Sequence, residues 1–290
     1  MRLDRKQLAQ SATVRALQVR RRAGCPFWEP ICVYDIAARL GIEVRFFDSP
    51  SMEGVYCASA SPTVIVSSLR PPGRQAFTCA HEIGHHEFGH GDQFDELVEQ
   101  RSEDRRYNTQ EFQADCFAGA LLMPEVVVRR GFSLRSMDPT TAPPESFYII
   151  ATWLGVGYTT LVHHMRSALG LIAPARADAL LRHRPLALRS AILGRECREH
   201  LVVADLQWHG RAIDLQVGDL VRLPAGAGIE GRCVEELERQ CASVFARAAA
   251  PGLGRATAAE AGWSAYLRVS RKNYAGRSTY RFEEEADDAE

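Results

Sequence analysis

His81-Glu82-Ile83-Gly84-His85 sets two imidazoles four residues apart with a carboxylate beside the first. On a helix, positions i and i+4 project from one face about a turn apart, so both rings can offer a nitrogen to a single metal ion. Glu82 is offset around that helix; it misses the ion and can serve as general base toward a water. The spacing carries this chemistry only if the segment is helical. Phe77, Ala80, Ile83 and Phe88 keep an apolar face through it, and Gly84 and Gly89 are the residues that argue against a helix.

A catalytic zinc keeps three protein ligands and one open position, so a third donor is required. The extended pattern H-E-x-x-H-x-x-G-x-x-H would put a histidine at 91, which is Gly91. His86, one residue past His85, points elsewhere, and His90, five past it, lies off the ligand face. Further on, Phe112, Cys116, Phe117, Ala120 and Leu121 fall at helical spacing until Pro124 stops the run. On this otherwise buried helix Glu111 and Asp115 stand at i and i+4. A buried carboxylate needs a partner, and a metal site supplies one. Glu111 is therefore the expected third ligand, while Glu96, Glu99 and Glu103 read as solvent-facing charges of a loop from Asp92 to Thr109.

The rest of the chain must position these residues. At 290 residues it is long enough for two or three units, and 46% hydrophobic with 24% charged residues describes an ordinary globular protein. A net charge of −1 excludes a global electrostatic claim on nucleic acid, leaving only local patches. The eight cysteines are scattered with no C-x-x-C pair, which excludes a disulfide scaffold or a zinc knuckle. Arg20-Arg21-Arg22 is not followed by a long apolar run. No signal peptide or membrane span is expected, and the expected compartment is the reducing cytoplasm.

Residues 3 to 23 and about 31 to 40 read as helices, with the basic end of the first as a solvated face. Strands follow at Ile42 to Phe47 and within Gly54 to Ser67, and a Pro-Pro-Gly-Arg turn leads into the H-E-x-x-H helix. Helices and strands ahead of the active helix suit an α+β unit over residues 1–130. Residues 131–195 read as a helical, helix-turn-helix-like segment, after a Pro-containing linker. Residues 196–283 read as an antiparallel sheet with one amphipathic helix (Ile229 to Ala249), a small sensor-like unit comparable in outline to a GAF domain. Residues 284–290 form an acidic tail.

Two long motifs make a family resemblance specific. Arg74-Gln75-x-Phe77-Thr78-x-Ala80-His81-Glu82-Ile83-Gly84-His85, followed by Glu111-x-x-Ala114-Asp115-x-Phe117-Ala118-x-x-Leu121-Leu122-Met123-Pro124, resembles the ImmA/IrrE family of metallo-endopeptidases. The likeness covers about residues 30 to 130 well. It implies a zincin-like fold, one Zn²⁺ per chain on His81, His85 and Glu111, and Glu82 as the catalytic base. Asp115 would orient a ligand histidine. The resemblance also implies a helix-turn-helix repressor protein as substrate, cleaved to switch on stress, DNA-damage or phage-related genes. The competing reading is a DNA-binding or sensory regulator whose zincin unit is structural and non-catalytic.

Two further expectations concern control. Cys25 and Cys57 lie near the cleft in chain order, and a thiolate from either in the open position would hold the enzyme latent. A last hairpin, strands Ala265 to Val269 and Ser278 to Phe282, interleaves basic and aromatic residues. Arg271, Lys272, Tyr274 and Arg277 on it are the candidate contacts to single-stranded DNA as an activator.

Overall fold

The computed structural model describes residues 4–96, 108–240 and 242–283. The chain begins with α1 (Arg5–Arg22), whose cap is the Asp4 side chain accepting from Lys6 N–H, and whose last turn carries Arg20, Arg21 and Arg22. Those cations suit the negative end of the helix dipole. Its buried stripe, Leu8, Ala12, Ala16 and Val19, faces α4 (Thr109–Leu122), and the small side chains let the two helices approach closely. Arg20 is fully buried rather than part of a solvated face. Its guanidinium donates to Leu121 O at 2.8 Å and to the carbonyls of Pro26 and Glu29, which ties α1 to the end of α4 and to the following loop.

After α2 (Val33–Arg39) come β1 (Glu43–Phe47), β2 (Met52–Cys57), β3 (Thr63–Ser67), α3 (Pro72–Phe88) and β4 (Gln93–Glu96). The reading of residues 92–109 as loop throughout is thus corrected at β4, which is pulled into register by β2. The sheet runs β4-β2-β3-β1, with β1 and β3 parallel and the other pairs antiparallel, and α3 lies across it. This is the α+β arrangement that the order of elements predicts.

A helical middle follows: α5 (Glu125–Ser133), α6 (Pro144–Leu154), α7 (Tyr158–Ser167), α8 (Pro174–Leu181) and α9 (Pro185–Leu193). Proline opens α6, α8 and α9, where its missing N–H costs no helical hydrogen bond.

The C-terminal region corrects two expectations. Residues 228–248 form no helix but β8 (Gly228–Glu230), β9 (Val234–Gln240) and β10 (Ser243–Ala248). Together with β5 (Leu201–Val203), β6 (Ala212–Gln216), β7 (Leu220–Pro224), β11 (Gly252–Ala258) and β12 (Trp263–Ser270) they build two four-stranded sheets, β5-β7-β10-β9 and β6-β12-β11-β8. Both sheets are mixed, since β5/β7 and β6/β12 pair in parallel. Glu235, Glu236 and Glu238 are good helix formers, yet they sit on an exposed edge strand, where charge protects the edge and pairing to β10 overrides propensity.

The expected final hairpin is also not formed. After β12 the chain passes Asn273 in the left-handed region (φ 53°), and β13 (Gly276–Arg277) pairs antiparallel with β1, at Arg45↔Arg277 and Phe46↔Gly276. Tyr274 meets Phe46 edge-on at 6.2 Å between ring centroids. The C-terminal segment thus completes the N-terminal sheet as its fifth strand, and residues 278–280 form a short 3-10 turn. The tail 284–290 lies outside the described residues.

Candidate metal centre

The H-E-x-x-H segment is helical, and both glycines that weaken the prediction have a structural use. Gly89 caps α3 in the left-handed conformation (φ 65°). Gly84 is where α3 crosses α4: a Cβ there would come within 3.1 Å of Ala114 Cα and the Phe117 ring. The close crossing brings the first turn of α4 over the histidines. That turn is fixed by Asn108, whose side chain accepts from Gln110 N–H and Glu111 N–H.

Glu111 is thereby delivered to the two rings, and the ligand atoms of His81, His85 and Glu111 all lie within 4.8 Å of one another. The His81 and His85 Nε2 atoms are 2.9 Å apart, with Glu111 oxygens at 3.3 Å and 3.5 Å from them. Two imidazoles and a carboxylate converging on one point form a donor set suited to a borderline divalent ion. The His85 side chain is fully buried, while that of Glu111 keeps 15% of its surface in contact with solvent, so the group opens on the α4 side.

Both rings are held from behind. His81 Nδ1 lies 2.9 Å from Asp115 Oδ1, and His85 Nδ1 lies 3.0 Å from His90 Nδ1. Partners on the far nitrogen fix tautomer and ring orientation, the usual companion of metal-binding histidines. Burial alone would lower the affinity of His81 for a proton, but its hydrogen bonds to Asp115 and Glu111 hold the pKa well above the ordinary value. Burial, with help from His81, pushes His85 down to about 4, which keeps its ring neutral at pH 7. Burial also lowers His90.

Glu82 is fully buried on the β2 side of α3. A Cβ on Gly54 would lie 2.5 Å from Glu82 Oε1 and from Thr78 Cγ2, so this strand position must stay bare for the carboxylate to fit. β2 and α3 thus confine Glu82, a carboxylate that the donor set does not use.

The expected ligands and the expected partner of His81 are brought together. His90 is the residue that the spacing argument missed. It was placed by extending α3 in a straight line, whereas the left-handed turn at Gly89 folds the chain back and returns His90 to His85. A glycine one residue before a histidine was the available signal. Gly54 was missed as well. His86 points away from the donors, its Nδ1 2.7 Å from the Tyr56 hydroxyl.

The two thiols do not join the site. Cys25 lies beyond the end of α1, with Arg39 Nη1 at 3.7 Å from its sulfur. Cys57 follows Tyr56 on β2, and alternation turns it to the face opposite the α3 side. Among the described residues only His81, His85 and Glu111 make up the converging group.

The four candidate nucleic-acid contacts lie on the segment between β12 and the end of β13 rather than on a hairpin. Tyr274 is half-buried on Phe46 and donates to Arg277 O, and Arg277 sits 3.3 Å from Glu43. Arg271 and Lys272 border a shallow depression with Arg232.

Residues 37–163 match the model of the IrrE N-terminal-like domain, peptidase family M78, a stretch that contains every donor and Glu82. No curated protein matches the chain. Among solved structures, a Mycobacterium tuberculosis transcriptional regulator is similar at 19% identity and a TM-score of 0.36, over 54% of this chain and 46% of that one. The match spans less than half of that regulator, and at this TM-score it carries no argument. No helix among the described residues is long and apolar enough to cross a membrane.

Proposed function

Residues 37–163 belong to the IrrE N-terminal-like domain of the ImmA/IrrE metallopeptidases, and from that premise we propose that the protein is a zinc-dependent endopeptidase. The observation that carries the reading is the convergence of His81, His85 and Glu111 with a buried Glu82 on the same helix. When bound there, Zn²⁺ supplies a Lewis acid for the scissile carbonyl and lowers the pKa of water toward neutrality. Glu82 accepts the proton of the attacking water and returns it to the leaving amine nitrogen. Asp115 and His90 keep the ring faces of His81 and His85 fixed while the proton moves. The substrate in this reading is a helix-turn-helix repressor, and its cleavage releases stress, DNA-damage or phage-related genes.

Glu82→Gln keeps the shape and removes the base. Metal content should stay near one zinc per chain, while cleavage of a repressor encoded beside this gene falls by about 10²–10⁴-fold. Persistent cleavage would refute Glu82 as base. If neither wild type nor variant cleaves while both retain zinc, the structural, non-catalytic reading replaces this one.

A further inference from the structure

A second cavity lies away from the donor set, where the N-terminal unit, the α6–α7 turn and the C-terminal sheets meet. It encloses about 320 Å³ and is lined by none of His81, Glu82, His85 or Glu111. Its size and its position between units are those of small-molecule sites. Its walls are largely apolar and aromatic, including Ile31, Val156, Val202, Trp153 and Trp208.

One polar group in it is unlike the others. Arg211 packs against two indoles, its guanidinium carbon 5.3 Å from the Trp153 ring centroid and 4.8 Å from that of Trp208. Among the described residues, the hydrogen bonds of its guanidinium are two long ones, both 3.4 Å, to Trp153 O. The remaining cations of the cavity are answered by carboxylates. Arg268 and Arg281 share Asp214 and Asp35, and Arg135 beside it takes Asp205 in a two-point pair. Arg211 has no carboxylate within 4 Å among the described residues; Glu29, also on the cavity wall, is exposed and farther away. Burial lowers its pKa to about 10, which marks the environment as hostile to its charge without neutralising it at pH 7. A permanently charged guanidinium held rigidly by two aromatic faces still offers its edge, the geometry that takes an oxyanion in two-point fashion.

We propose that this cavity is a binding site for a small organic carboxylate, its charged end on Arg211 and its planar apolar body between the aromatic and aliphatic walls. With the two indoles packed on the guanidinium, the anion approaches along its edge, and the body of the ligand then extends toward Ile31 and Val156. Specificity follows from charge. A neutral isostere would leave Arg211 as exposed to desolvation as before while costing the same space.

The test uses the full chain and defined probes, naphthalene-1-carboxylate and naphthalene-1-carboxamide, in calorimetric titration. One carboxylate per chain should bind, at least about tenfold more tightly than the amide. Arg211→Met should abolish that preference, Arg211→Lys should keep part of it, and Ile31→Trp, which fills the space without touching Arg211, should abolish binding. Equal binding of carboxylate and amide to wild type overturns the proposal, as does no binding at millimolar concentration or unchanged binding in Ile31→Trp. The wild-type comparison stands even if Arg211→Met fails to fold. Glu82→Gln should bind the carboxylate as wild type does, so this site succeeds or fails independently of the peptidase reading.

Discussion

Asp115 and His90 act on the metal site without belonging to the donor set, and their contributions can be separated. Asp115→Ala frees the far nitrogen of His81, and His90→Ala frees that of His85. Each should weaken zinc binding by about 10–100-fold, read by competition with a chelating dye, and the two effects should exceed that of His86→Ala, whose ring is held by Tyr56 instead. Gly54→Ala makes a different prediction. The added methyl meets Glu82 Oε1, so cleavage should fall at least about tenfold with zinc content unchanged, because the donors do not touch that strand. The chemistry-bearing residues were legible from spacing: His81, Glu82, His85 and the Glu111/Asp115 pair. Gly54 and His90 were not, since one depends on which strand backs the helix and the other on a reversal of chain direction at Gly89.

At the scale of elements, the site exists because α3 and α4 cross at Gly84, and α4 is itself held by α1 on one side and α7 on the other. His164 of α7 is buried against Gly119, its Nε2–H donating to Met123 O at 3.0 Å, and burial lowers its pKa to about 4. The folded pKa lies below the unfolded one, so its stabilising contribution is complete above about pH 6.5 and is lost as the pH falls toward 4. Stability measured in urea on metal-free protein should drop by up to about 1.4 kcal/mol per pH unit more in wild type than in His164→Gln across that window; parallel curves would refute it. Helix positions were readable wherever one face was apolar. The failure came at residues 229–249, where apolar residues at three- and four-residue intervals read as a helix. The partner strands β7 and β11, which decide the outcome, flank the segment, and its own apolar spacing carries no sign of pairing with them.

At the scale of the whole molecule, the C-terminal region is joined to the N-terminal unit at α2 and at β1. Arg268 on β12 pairs with Asp214 on β6 and reaches Asp35 on α2, and β13 continues the sheet at β1. Arg268→Met leaves Asp214 and Asp35 with Arg281 as their remaining cation, at longer range, and should cost about 1 kcal/mol, seen as a lower urea midpoint. This connection had no signature in the sequence, because nothing in Gly276-Arg277 names Phe46 and Arg45 as its partners. The strand exchange between units makes the chain a poor candidate for modular shuffling. An N-terminal lobe cut free at residue 195 would carry a sheet with β1 as an open edge and Phe47 exposed beside it. Any replacement for the C-terminal region would have to return its own last strand to β1 to close that edge.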